Sequence, residues 1–531
     1  MSTTTTGTTD YDAIVIGAGH NGLTSAMILA RGGLRTLCLE KNTYSGGMAS
    51  TVELFDGFHY EIAGSVLFPP SPALAQDLGL TGLPTIDAEV MSVNLGGPDN
   101  EPMIFYRDPM RLLTHLGEKH GADAVLGMIE VMAWAAGPAR ALSRFDVRTP
   151  PKTYDEMLAC AQTEAERQAI SEMLFGSVMD VLNRCFPDKE KHRVLRGMLA
   201  FLAVNSTYRG PYTPGSATCL AFALASPDGT EMMQKLQGGI GALTTRIRQT
   251  YLDHGGELRL KSTVSEILND GDRVTGVKMK NGDVITAPIV ISNLDPGVTF
   301  TKLLDPTTLP GDLVSRVSGV DHRAAYVQMH FALDGMPKFA GAYEFLNDDG
   351  MAASLGIFGS PEEMQLDWEN CRRGIVPEDP SLGLQIPSIH DPAMAPDGKQ
   401  AASAFAFYFP VENDRGQHGQ LKKQMADKVL AKLTKLAPNF QDLILRQTTF
   451  ASFHFDSMFA APGGDFCHGL LHPDLMGPNR PGPRGWLDLP VPLKGLYLGG
   501  AGCHGGPGIT FIPGYNAGYE ALEDAAPVAA G

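Results

Sequence analysis

The stretch that most constrains this chain is its first glycine cluster. Residues 11–16 (YDAIVI) form a short apolar run rich in β-branched side chains, and Gly17-x-Gly19-x-x-Gly22 follows at once. Residues 23–31 read as a helix stopped by Gly32-Gly33, and residues 34–39 as a second strand closed by Glu40. Strand, glycine turn, helix and strand make the first unit of a parallel sheet. Each glycine has its own task. Gly17 permits the tight turn, Gly19 lets backbone approach a pyrophosphate, and Gly22 lets the helix pack on the sheet. The helix N-terminus adds unpaired N–H groups and a positive dipole end for phosphate. Glu40, 18 residues beyond Gly22, stands where an acid accepts ribose hydroxyls, which disfavours NADP.

Lys41 follows, and then Ser45-Gly46-Gly47-Met48-Ala49-Ser50, whose paired glycines suit continued backbone contact with a long dinucleotide. Gly500-x-Gly502-x-x-Gly505 repeats the pattern after residues 496–498, but the chain ends at Gly531 with no second strand and no ribose acid. It serves better as the far wall of the first site. Pro513-Gly514 then opens a final helix whose N–H groups suit the pyrimidine edge of a flavin, where reduced flavin carries negative charge. Gly238-Gly239-Ile240-Gly241 lacks both strand and acid, so it is not read as a nicotinamide site.

The 531 residues suggest several structural units, and 43% hydrophobic against 19% charged residues implies ample core. A net charge of −17 argues against a nucleic-acid partner. Seven scattered cysteines, with no Cys-x-x-Cys and no metal-ligand spacing, suggest free thiols in a reducing compartment and no metal site. The N-terminal residues lack the pattern of a signal peptide. No stretch reads as a transmembrane helix; the nearest, residues 125–142, is interrupted by Glu130, Pro138 and Arg140. The expectation is a cytoplasmic protein, with peripheral membrane contact left open.

Residues 122–136 and 164–181 carry helical apolar spacing. Strand signals return at 257–260 and 263–268, and Asn281-Gly282 turns a hairpin between 273–280 and 284–291. Alternating strands dominate 324–410, residues 419–436 read as an amphipathic helix, and 462–492 as a long ordered loop rich in Gly and Pro. The fold class is therefore α/β: a nucleotide-binding domain split in sequence, plus an α+β substrate domain with an antiparallel sheet and a helical region. The boundaries drawn are 1–106, 238–300 and 486–531 for the nucleotide domain, 107–237 for a mainly helical cap, and 301–485 for the substrate domain.

YDAIVIGAGHNGL, GGMAS, GGIGAL, VISNLDP and GGAGCHGGPGITFIPGYNA together resemble the phytoene desaturase-type flavoproteins, strongly at both ends and weakly between. The resemblance implies a Rossmann-type domain, noncovalent FAD, and a hydrophobic substrate that is desaturated or isomerised. Carried over by motif, it implies FAD contacts at Gly17, Gly19, Gly22, Glu40, Lys41, Gly47, Met48 and Ala49. Val264 would meet the adenine, and Gly502, Ile509 and Ile512 would lie near the isoalloxazine. The chain departs from the family at Phe511, where relatives often have glycine, and at His504-Gly505-Gly506-Pro507-Gly508, where they have His-Pro-Gly-Gly-Gly. A phenylalanine there would narrow the substrate space and count against long carotenoids.

Dehydrogenating a carbon–carbon bond needs hydride loss to flavin N5 and proton loss to a base. His504, within the flavin-facing loop, is the first candidate base, and Glu61 the second. Asp465 and His468 read as a structural polar pair. Cys503 has no second cysteine for disulfide chemistry. Phe405, Phe407 and Phe409 share one face of a strand, as core or as the floor of an apolar pocket. Met128, Met132 and Met232-Met233 read as core. The expected function is FAD-dependent desaturation of a small or medium hydrophobic substrate, terpenoid, alicyclic or lipid-like. Electrons would leave to oxygen, a quinone or an electron-transfer protein. A redox-neutral flavin isomerase, a flavin amine oxidase and a non-enzymatic assembly role are the rivals. The sequence leaves the oligomeric state open.

Overall fold

A computed structural model describes residues 9–65, 71–224, 235–411 and 415–525; Met232-Met233 fall outside them. The apolar runs around the glycine clusters assemble into one five-stranded parallel sheet. Its order is Leu496–Leu498, Ile289–Ser292, Ala13–Ile16, Thr36–Leu39, Glu257–Arg259. Strand side chains alternate between faces, and both faces are covered. Ala13 and Val15 point into a core shared with the helices His20–Arg31, Gly241–Asp253 and Ile512–Ala525. Ile14 and Ile16 point into another, shared with the antiparallel strands Val264–Asn269, Val274–Met279 and Val284–Thr286.

The two ends of the chain meet here. The helix Ile512–Ala525 lies so close along His20–Arg31 that a Cβ on Gly514 would sit 2.0 Å from the Asn21 carbonyl oxygen. Ser25 donates from Oγ to the Gly514 carbonyl at 2.8 Å.

The second large sheet has seven strands, ordered Ile444–Phe450, Tyr326–Leu333, Gln400–Phe407, Leu382–Gln385, Ser354–Ile357, Val90–Leu95, Met103–Tyr106. All neighbours are antiparallel except Ser354–Ile357 with Val90–Leu95. Val90–Leu95 and Met103–Tyr106 were drawn inside the first part of the nucleotide domain. They belong to the substrate sheet, because Met103–Tyr106 pairs with Val90–Leu95, whose other neighbour, Ser354–Ile357, lies some 260 residues downstream. One face of this sheet packs under the amphipathic helix His418–Leu436 through Met425, Val429 and Leu433. The other faces the nucleotide domain.

Five helices, Ala122–Leu142, Glu164–Phe175, Val178–Cys185, Arg193–Val204 and Ala217–Ala223, share a separate core and close the third side. Ala122–Leu142 is, among the described residues, the one helix long and apolar enough to cross a membrane, and Leu126 and Ile129 stand exposed on it.

Two readings of continuity fail for local reasons. The helix expected over 164–181 breaks at Gly176, and Ser177 caps the next one in a reciprocal pair with Asp180. The strand expected over 284–291 breaks at Ala287-Pro288, since proline donates nothing to a ladder. Ile289–Ser292 is thereby released into the parallel sheet. None of the seven cysteines, all of them described, is in a disulfide.

Candidate active site

The first glycine cluster folds as a cradle with no room for side chains. Gly17 adopts φ +92°, and a Cβ on Gly22 would stand 1.9 Å from the Gly17 carbonyl oxygen, so helix and turn touch backbone to backbone. Gly46 donates to the Ala18 carbonyl at 2.7 Å, and a Cβ on Gly47 (φ +60°) would come within 3.1 Å of Gly19 Cα. No side chain caps the helix beginning at His20, so its first N–H groups stay free for an anion. The Glu40 carboxylate is buried and held by two backbone donors, Ala18 N–H at 2.9 Å and Asn42 N–H at 2.8 Å. A carboxylate has about four lone-pair sites, so capacity for ribose hydroxyls remains. Asn293, from VISNLDP, ties the cradle from below, donating to the Gly17 carbonyl at 3.2 Å.

Above the cradle opens a cavity of about 580 Å³. Of the residues singled out as cofactor contacts, Gly17, Gly19, Glu40, Lys41, Gly47, Met48, Ala49, Val264 and Ile509 line it. Gly22, Gly502 and Ile512 do not. Gly22 lies inside the cradle, Ile512 packs on Gly505, and Gly502 sits where a Cβ would meet Pro296 at 2.7 Å. Lys41 turns its ammonium to the Ser457 carbonyl at 2.6 Å, joining the nucleotide domain to the segment after the last substrate-domain strand. Phe511 does not narrow the cavity. It is fully buried in the nucleotide-domain core, edge-on to His20 at 5.4 Å. Its φ of +64° explains why a glycine suits the position.

Away from the cradle the walls turn aromatic. Phe201 stacks on Phe358 at 4.1 Å and meets Phe407 edge-on at 5.0 Å, while Tyr326 meets Phe466 at 4.9 Å. Phe405 and Phe407 line this part, but Phe409 does not. Tyr408 adopts φ +62° and turns the chain, which sends Phe409 into the core beneath the helix His418–Leu436. Among the described lining residues the charged side chains are Glu40, Lys41 and Lys302, all at the nucleotide end, with His20 and His468 besides. Burial pushes His20 down to about 4, so it is neutral.

Neither proposed base reaches the cavity. His504 does not line it; burial and the Arg480 charge push its imidazole down to about 4. Glu61 accepts the Ile240 N–H at 2.8 Å, faces a smaller neighbouring cavity, and is raised by burial. The group that does line the cavity is His468. Behind it lies a buried network that joins the Asp465 and His468 pair, expected from the sequence to be structural, to Asp295 and His322, which sequence spacing does not reveal. His468 Nδ1 stands 3.8 Å from Asp295 Oδ2, and His322 bridges Asp295 (3.8 Å) and Asp465 (3.5 Å). Asp465 accepts from the N–H groups of Cys467 and Gly469, which shapes the loop that presents His468. Burial opposes ionisation of Asp295, but the neighbouring His468 and His322 imidazoles and the Gly297 N–H outweigh it and lower its pKa. Gly502 makes room here, because a Cβ would crowd the His468 carbonyl at 3.2 Å. Cys503 is pushed up to about 12 by burial, which leaves no thiolate beside His504.

This geometry is that of an FAD-binding oxidoreductase, and the chain belongs to the flavin containing amine oxidoreductase family, whose profile matches residues 22–521. It is 28% identical to rat pyridine nucleotide-disulfide oxidoreductase domain-containing protein 2, covering 97% of this chain and 94% of that one. It is 24% identical to a chloroplastic prolycopene isomerase of Daucus carota (95% and 78%) and 23% to a phytoene desaturase of Neurospora crassa (94% and 82%). The fold resembles that of an oxidoreductase from Methanosarcina mazei, with TM-score 0.59, 16% identity and coverage of 96% and 99%. It also resembles wild-type putrescine oxidase bound to putrescine, with TM-score 0.57, 14% identity and coverage of 97% and 98%. FAD is the cofactor: the glycine cradle, uncapped helix and Glu40 fit its adenosine diphosphate half, and the cavity continues for its ring.

Proposed function

We propose that this flavoenzyme dehydrogenates a carbon–carbon bond of a neutral, apolar, small or medium-sized molecule. The observation that carries the reading is the cavity wall: beyond the nucleotide end, His468 aside, its described side chains are aromatic, aliphatic or neutral polar. An ammonium substrate would find no described carboxylate there, and burying an unpaired charge costs several kcal/mol. When bound, FAD supplies a hydride acceptor at N5. Phe201, Phe407 and Tyr326 hold the substrate and exclude water. His468 takes the proton, and Asp295 behind it stabilises the imidazolium and fixes the ring.

The test is an anaerobic titration of the purified holoprotein, following loss of flavin absorbance. Cyclic and medium-chain neutral compounds are expected to reduce the flavin, and alkyl amines are not. In His468→Gln the FAD content is expected to stay while flavin reduction slows about 100-fold, the usual scale of a lost general base. Reduction by amines alone would overturn the reading.

A further inference from the structure

The cavity ends on the seven-stranded sheet, and its floor there is polar. The strands that present it carry leucine, valine and alanine on their opposite face, against the helix His418–Leu436. On the cavity side, two registered rows cross the sheet. One runs Ser354, Gln385, Ser403, His330. The other, two residues along each strand, runs Asn94, Gly356, Gly383, Phe405. The glycines deepen the floor beside Phe405. A Cβ on Gly356 would stand 2.5 Å from Asn94 Oδ1, and one on Gly383 would stand 3.2 Å from the Phe405 ring.

Ser92, Asn94, Ser354 and Gln385 all line the cavity. Asn94 is 6% exposed, its amide nitrogen reaches Ser92 and the Met103 carbonyl only at 3.5 Å, and its Oδ1 accepts no hydrogen bond among the described residues. Ser354 and Gln385 face each other in the ladder, and neither side chain makes a hydrogen bond among the described residues. Deeper in the row, Ser403 Oγ already pairs with His330 Nδ1 at 2.8 Å.

Polar groups left unpaired under a purely hydrocarbon ligand cost affinity, on the order of tenfold or more for each lost partner. Charged ends are served no better. The smaller cavity behind Ser354 and Gln385 holds Glu61, Lys235, Arg107 and Asp391, each already engaged with backbone.

We infer that the substrate is a molecule with an apolar body and one uncharged hydrogen-bonding terminus, a carbonyl or hydroxyl, which Asn94, Ser354 and Gln385 receive at the sheet end of the cavity. This rests on the function proposed above and narrows its substrate class. A terminus held here fixes how far along the body the reacting bond lies from the cradle, so the enzyme would select by distance from the polar end.

The experiment uses the full-length FAD-bound protein and chain-length-matched probes: an n-alkane, the corresponding methyl ketone, a primary amine and a carboxylate. Binding is read from the perturbation of the flavin absorption spectrum. The ketone is expected to bind about tenfold tighter than the alkane and tighter than either charged probe. In Gln385→Leu, and separately in Asn94→Leu, that advantage should shrink to within about twofold while FAD content is unchanged. Equal binding of alkane and ketone by the wild type, or no binding of any probe by protein that holds FAD, overturns the inference and leaves the flavin assignment standing. A ketone advantage that survives both substitutions overturns it too. Protein that holds no FAD overturns the underlying reading together with it.

Discussion

Two kinds of residue make this site, and they differ in how plainly sequence announces them. Gly17, Gly19, Gly22 and Glu40 act through backbone geometry over a short span, so their spacing alone carries the message. His468 and its partners do not. Asp295, His322 and the Asp465 and His468 pair come from three segments, and neither spacing nor composition relates one segment to another. The histidine that drew attention, His504, sits in the glycine loop but behind the cavity wall. The local clue to His468 is its setting between Asp465 and Gly469 in a glycine-rich loop. The network also makes a pH signature. Burial alone would depress His322, but the Asp465, Asp295 and Asp321 carboxylates around it outweigh burial and raise its pKa. A raised pKa in the folded state stabilises fully below the unfolded value of about 6.5 and fades as pH climbs through the folded one. His322→Gln is therefore expected to lower Tm more at pH 6 than at pH 9, by differential scanning calorimetry. An equal loss at both would mean the imidazolium contributes nothing.

At the scale of elements, apolar runs gave most strands and helices, and chain breakers decided the errors. Gly176 divides one helix and Pro288 divides one strand, and the second break is what frees Ile289–Ser292 for the parallel sheet. Pairing was the less legible part. Nothing local in Val90–Leu95 says that it will lie beside Ser354–Ile357. The contact between the first and last helices has its own test. A Cβ on Gly514 would meet backbone, not a movable side chain, so the two helices must part. Gly514→Ala is expected to cost about 1–3 kcal/mol, as overpacking does, and to lower Tm and bound FAD together. By contrast Gly33→Ala, with open space around the position, pays only the strain of its positive φ, about 1–2 kcal/mol, and is expected to keep its FAD. If Gly514→Ala lost stability yet bound FAD as before, the two helices would not be shaping the cradle.

For the whole molecule, a single flavin site explains why a chain of this length keeps returning to one place. Residues 13–39 form the cradle, 257–264 and 289–293 complete its sheet and floor, and 496–514 supply the far wall. The substrate sheet and the helical layer then enclose the space where the flavin ring would meet its partner. That return was legible from glycine motifs at both ends, whereas the cavity's polar floor was not, because it arises only when separate strands pair in register. The most direct measurement is the flavin content of the purified full-length protein after supply of FAD, with the released cofactor identified. The account expects FAD at one equivalent per chain, falling well below that in Glu40→Lys, where a cation replaces the carboxylate expected to accept the ribose. A wild-type protein that takes up no FAD, or a Glu40→Lys protein that holds it as tightly as wild type, would contradict it.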